Sequence, residues 1–126
     1  MRRLLFTFIL ALFALPASAQ TCLLGSQTVV YPWAHETITV STVAKTLTVA
    51  TYAPTGAQGS ILAVITTATD TARWWDDGTA PTSTVGHSIA AGGTLTLCGT
   101  QAISKFQIIR SGSADVPISV TYFRQQ

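Results

Sequence analysis

Few residues in this chain are equipped for chemistry. His35 and His87 are the only histidines, and Cys22 and Cys98 the only cysteines. Asp70, Arg73, Asp76 and Asp77 crowd into eight consecutive positions, within the run Arg73-Trp74-Trp75-Asp76-Asp77-Gly78-Thr79-Ala80-Pro81-Thr82 or just before it. On a strand, Trp74 and Asp76 share one face while Arg73, Trp75 and Asp77 share the other. One indole can enter a core, and the other must face outward or lie under a loop. A framework reading makes this segment a core Trp74, an Arg–Asp surface pair and an Asp-Gly turn. A binding reading makes it a recognition surface of Arg73, Trp75, Asp76 and Asp77, with Trp33 as a second indole. An exposed indole of that kind stacks on sugar rings or anchors a protein contact.

Catalysis finds little support. His35 follows Tyr31-Pro32-Trp33 and His87 follows Gly86, and both read as loop histidines. No Gly-x-Ser-x-Gly elbow is present. Asp76 and Asp77 are adjacent, so their carboxyls diverge on a strand, whereas an acid–base pair must converge to about 5–9 Å. The run lacks the acidic spacing of an EF-hand loop, and two cysteines without neighbouring histidines do not make a tetrahedral metal site. The expectation is a non-enzyme with no metal and no cofactor.

The charge count needs one correction before it is used. The 126 residues carry seven basic and five acidic side chains, a formal +2. Arg2 and Arg3, however, precede the apolar stretch Leu4 to Leu15, and Ala17-Ser18-Ala19 offers the small-x-small site of a signal peptidase. Residues 1–19 read as a signal peptide and residues 20–126 as a single domain, secreted or periplasmic. The apolar stretch is too short to span a bilayer core of about 30 Å, so no membrane attachment is expected after cleavage. The rest has Lys45, Arg73, Lys105, Arg110 and Arg124 against Glu36, Asp70, Asp76, Asp77 and Asp115. This neutral balance excludes the basic field that nucleic-acid binding requires.

Export favours pairing Cys22 with Cys98. Closing such a loop is worth roughly 4 kcal/mol on the loop-entropy scale. Buried free thiols and bonds between chains are the alternatives. Leu95 and Leu97 alternate with Cys98, which places the sulfur away from the core and the bridge on an outer or end face of the domain.

The elements that must carry these residues read as strands. Thr37-Ile38-Thr39-Val40, Thr46-Leu47-Thr48-Val49 and Thr94-Leu95-Thr96-Leu97 alternate hydroxyls with aliphatics, the period of a half-buried strand. Val116, Ile118, Val120 and Tyr122 form the apolar face of another, which Pro117 places at a sheet edge or at its own start. Ile61 to Thr67 is apolar on both faces and so central. Thr28 to Tyr31, Ala72 to Trp75 and Lys105 to Arg110 complete the set, and no helical stretch of ten residues is visible. Turn residues punctuate the runs, and Asp76 to Gly93 is the longest irregular stretch. The pattern predicts an all-β fold: a small antiparallel β-sandwich, jelly-roll-like, of about eight strands.

RWWDDGTAPT at Arg73 to Thr82 also resembles a family signature. Small phage- and prophage-encoded virion-associated β-sandwich proteins carry a strand ending Arg-aromatic-basic-Asp-Asp-Gly-Thr-x-Pro-Thr. A Gly and a small-apolar segment follow it, then an Ala-Ile-Lys/Arg-Phe-Ile-like strand and a closing Val-x-Tyr-aromatic strand. Here those segments are Val85-Gly86, Ile89 to Gly92, Ala102 to Ile109 and Val120 to Phe123. Trp75 stands where the pattern has a basic residue, and Ser104 is an insertion. The resemblance implies a sandwich fold and a decoration-type structural role on a virion surface, commonly in oligomers.

Two functional expectations follow. The first is an exported, non-catalytic structural or interaction module that docks on a protein assembly or self-associates. The alternative is a secreted carbohydrate- or ligand-binding module that uses exposed Trp75, Trp33 and the 76–93 loop. One exposed platform shared by the two indoles would favour the glycan.

Overall fold

Threonine–aliphatic alternation produces two antiparallel four-stranded sheets packed face to face. The structure is a computed structural model and describes Cys22 and residues 29–126; the expected signal peptide lies outside the described residues. In chain order the elements are β1 (Val30–Val40), β2 (Lys45–Thr46), α1 (Val49–Tyr52), β3 (Leu62–Thr67), β4 (Ala72–Trp75), β5 (His87–Ile89), β6 (Thr94–Cys98), α2 (Thr100–Lys105), β7 (Gln107–Arg110) and β8 (Val116–Gln125). One sheet has the order β1-β8-β3-β6 and the other β2-β7-β4-β5. Eight strands in two layers make a small β-sandwich. Among the described residues no helix is long and apolar enough to cross a membrane.

The period of two decides what fills the interior. Val116, Ile118, Val120 and Tyr122 of β8 are all buried, as are Ala63 and Ile65 of β3 and Leu97 of β6. The opposite sheet contributes Ala72, Trp74, Ile89 and Ile108, with Phe106 just before β7. Burial of so many branched and aromatic side chains is the main stabilising term, each worth about 1.5–3 kcal/mol. The apolar reading of β3 as a central strand holds, because it pairs with both β8 and β6.

Several boundaries differ from the expectation. Thr37 to Val40 and the region around Tyr31 form one strand, β1, which carries an irregularity between Pro32 and Ala34. His35 therefore lies on a strand and not in a loop. The segment Thr46 to Val49 does not continue as a strand. Leu47 is buried and the Thr48 carbonyl accepts the Thr51 and Tyr52 N–H groups, so the chain turns helically to bring Tyr52 into the core. Lys105 belongs to α2, whose Ile103 N–H bonds the Gly99 carbonyl; both Ile103 and Phe106 are buried. Pro117 stands at the start of β8, which is an interior strand. The β3–β8 ladder ends at Thr67↔Ile118, so the missing N–H interrupts little.

The cysteine bridge is present. Cys22 and Cys98 are joined with their Cα atoms 5.6 Å apart, within the usual range for a disulfide. Cys98 is exposed at the end of β6 while Leu97 points into the core. The bond fastens the N-terminal segment to an edge strand.

Candidate functional site

β4 places the predicted residues as its alternation requires. Trp74 is 9% exposed, and its ring lies 5.9 Å from Phe106. Arg73 and Trp75 face the other way and are half-buried. The expected loop from Asp76 to Gly93 is interrupted, because His87–Ile89 forms β5 and pairs with β4. His87 is therefore an edge-strand residue, opposite Trp74 in register. Its ring centroid lies 4.9 Å from Trp74 and 4.6 Å, edge-on, from Trp75. Tilted and edge-on aromatic contacts at these separations are favourable beyond their area.

His87 is the member of this cluster that the sequence concealed. A three-residue strand is too short to display a period, and the thirteen-residue gap from Trp74 to His87 carries no local signal. Only the hairpin register brings the imidazole between the indoles.

The connection from Asp76 to Gly86 is held down by its own polar groups. Asp77 Oδ1 accepts the Thr79 N–H at 2.8 Å. This bond is the leading reason that the Asp77 carboxyl is held below the usual carboxylate range. Gly78 turns at φ +94°, and its carbonyl accepts Gln107 Nε2 at 2.7 Å. Thr82 Oγ1 accepts the Val85 N–H, and the Thr82 N–H donates to the Val85 carbonyl, both at 3.0 Å. Pro81 is buried. At Gly86, φ is +131° and a Cβ would come within 3.2 Å of both Pro81 Cβ and the Trp74 carbonyl oxygen. Only glycine lets the returning chain lie so close to β4.

The anticipated Arg–Asp surface pair is not formed. Arg73 Nη1 donates to the Gly86 carbonyl at 2.9 Å, so its guanidinium pins the end of the loop. Among the described residues the ion pair is Arg110–Asp115, at 2.9 Å. Asp76 stays half-buried and Asp77 exposed at the head of the turn.

Trp33 is elsewhere. It sits in β1, in the opposite sheet from Trp75, at the position skipped in the β1–β8 register. Its Nε1 donates to Ser60 Oγ at 2.9 Å, and that hydroxyl donates to the Tyr52 carbonyl at 2.9 Å. The Arg124 guanidinium carbon lies 3.2 Å from the indole centroid, a cation–π stack. Trp33 thus closes one end of the sandwich, and the shared exposed platform expected of Trp33 and Trp75 is not formed. Of the residues expected to bind, Arg73, Trp75, Asp76 and Asp77 lie together at β4 and its following turn, with His87 beside them.

Other concave and polar features are modest. A shallow depression of about 330 Å³ lies between Thr42, Ser83 and Ile109 to Gly112. Among the described residues no three His, Cys, Asp or Glu side chains gather as a metal site requires. No family model, curated protein or solved structure matches this chain.

Proposed function

We propose that the chain is an exported, non-catalytic structural or interaction module, secreted or periplasmic, that docks on a protein assembly or self-associates. The observation that carries this reading is the placement of exposed apolar side chains. The large hydrophobic residues left exposed are Val29, Tyr31, Val43, Val49 and Val85. Four of these lie on β1, just beside it, or on the α1 turn that packs against it. Exposed apolar residues at the two ends of one strand and on the turn beside it mark a protein contact more readily than a small-molecule cleft does. The polar residues support the same reading, since Asp70, Asp77, Arg73 and Glu36 serve turns and strand contacts. The resemblance of Arg73 to Thr82 to virion-associated sandwich proteins extends the proposal to a decoration-type role.

A glycan is the second reading, favoured by the half-exposed Trp75 ring beside Asp76. With Trp33 committed to the far sheet, such a site would rest on a single indole. Cross-linking of the tagged, exported chain in cells, followed by mass spectrometry, tests the two. Discrete adducts to itself or to components of an assembly are expected. A chain that forms no protein adduct, yet binds a glycan array in a manner lost in Trp75→Ala, overturns the first reading.

A further inference from the structure

Among the described residues β1 is the longest strand and has a neighbour, β8, on one side only. The direction of its backbone groups follows from the ladder. Pro117 and Phe123 of β8 give their carbonyls to Ala68 and Ile61 on the β3 side. Odd-numbered residues of β8 therefore serve β3 and even-numbered ones serve β1. The β1 partners of the even set are Ala34, Glu36, Ile38 and Val40. By alternation, His35, Thr37 and Thr39 turn their N–H and C=O groups away from the sheet. Among the described residues no other segment makes a backbone hydrogen bond to these three.

Edge strands are normally protected by lysine, proline, a bulge or a cover. From Ala34 to Val40 lysine, proline and a bulge are missing. Pro32 and the irregularity lie upstream, and the segment contains neither lysine nor proline. Its only formal charge, Glu36, is turned inward to accept the Tyr122 hydroxyl and the Thr48 N–H. Residues 29–126 carry balanced charges, five of each sign, so no net field opposes a second copy.

We propose that β1 is a self-pairing edge: two copies join antiparallel along it, with Thr37 opposite the partner's Thr37 on the two-fold axis. The inference rests on the interaction-module reading and specifies its surface and its partner. The register is chosen by the outward-facing backbone groups. It pairs His35 with the partner's Thr39 and the reverse, so that all three outward-facing residues on each copy are used, in roughly six hydrogen bonds. A shift by two residues in either direction leaves one outward residue of the three without its match. An isologous contact needs such self-complementarity, and Thr–Thr and Thr–His neighbours suit it. A Thr–Thr hydroxyl contact across neighbouring strands already occurs in the fold, at the non-hydrogen-bonded pair Thr66–Thr94 of β3 and β6, at 3.2 Å.

A strand-to-strand contact of this length is small as interfaces go, under about 1,200 Å² in total. The expected dimer therefore has a dissociation constant between roughly 1 μM and 1 mM. Sedimentation velocity on the exported wild-type chain should show a concentration-dependent monomer–dimer equilibrium in that range. Thr37→Lys opposes two ammonium groups on the axis and should weaken dimerisation at least about tenfold. Ser88→Lys, on the exposed edge of the other sheet, should not. Thr37→Cys places two Cα atoms about 5.5 Å apart, within disulfide range, and should give a covalent dimer under mild oxidation, whereas Ser88→Cys should not. A wild-type chain that stays monomeric up to about 1 mM overturns the inference. So does a dimer that Thr37→Lys leaves intact and Thr37→Cys fails to trap. That second result leaves the interaction-module reading standing, with the contact moved to another surface.

Discussion

The Tyr122 hydroxyl donates to the Glu36 carboxylate across the β1–β8 pair, and the Thr48 N–H donates to the same oxygen. One carboxylate thereby joins the last strand, the first strand and the turn that leads to α1. Tyr122 is fully buried. Burial first, and then the bond to Glu36, push its phenol well above the ordinary value of 10.0.

Tyr122→Phe should destabilise the domain by about 1–3 kcal/mol, since it deprives a partly buried carboxylate of a donor. Chemical denaturation at neutral pH measures this directly. Because the folded state raises the phenol's pKa, its stabilising contribution is complete below pH 10 and is lost as pH rises further. Wild-type stability should therefore fall above pH 10, and the gap to Tyr122→Phe should narrow there. A gap that widens with alkali would contradict the assignment.

The acid side has the opposite sign. Asp70 is held below the ordinary carboxylate value of 3.8, chiefly by the Thr71 N–H and then by the Ala114 N–H. Its contribution is complete above pH 3.8 and is lost as pH falls below it. Asp70→Asn should flatten the acid limb of a stability–pH profile recorded between pH 5 and 2. An unchanged limb would show that the carboxylate does not hold the 111–114 turn.

Trp74→Ala should cost about 3–5 kcal/mol, as core aromatic truncations do, whereas Trp75→Ala should cost under about 1.5 kcal/mol because that ring is only partly buried. Urea melts of the two variants settle the order. Equal losses would mean that the two faces of β4 are energetically equivalent, against the burial found for Trp74.

Gly86 and Gly78 both have positive φ, but only Gly86 has backbone and side-chain atoms crowding the missing Cβ. Gly86→Ala should therefore cost more than Gly78→Ala, by about 1 kcal/mol or more. It should also increase proteolytic nicking between Asp76 and Val85. Equal thermal shifts in the two variants would refute the close approach.

Removing the bridge with Cys22→Ser and Cys98→Ser together should lower stability by roughly 4 kcal/mol if loop entropy dominates. Denaturant midpoints with and without reductant provide the check. A loss much under 1 kcal/mol would mean that the N-terminal segment contributes little to the restriction of the unfolded chain.

Periodicity made the sandwich legible. The longer runs are legible as strands from residue types, with the inner face in β8 and the interior place in β3. Pro117 leaves the place of β8 open between a sheet edge and the strand's own start. Shorter elements are not legible. Thr46 to Val49 alternates as a strand does, yet the need to bury Tyr52 turned it into a helical corner after Lys45–Thr46. β5 has three residues and no readable period, so the sequence alone reads His87 as a loop residue. The tryptophans divide in the same way. Alternation foretold that Trp74 enters the core, a local matter. That Trp33 would lie in the opposite sheet from Trp75, with Arg124 stacked on it, depended on topology that no spacing encodes.

The strand order has a consequence for the way this chain becomes folded. β7 and β8 come last in sequence, yet each occupies an interior position in its sheet. β1 and β3 meet no other strand of their sheet except through β8, apart from the β3–β6 pair, and β2 and β4 meet only through β7. A chain emerging amino-terminus first cannot close either layer until β7 and β8 are free. Assembly must therefore wait for these two strands, which act as keystones.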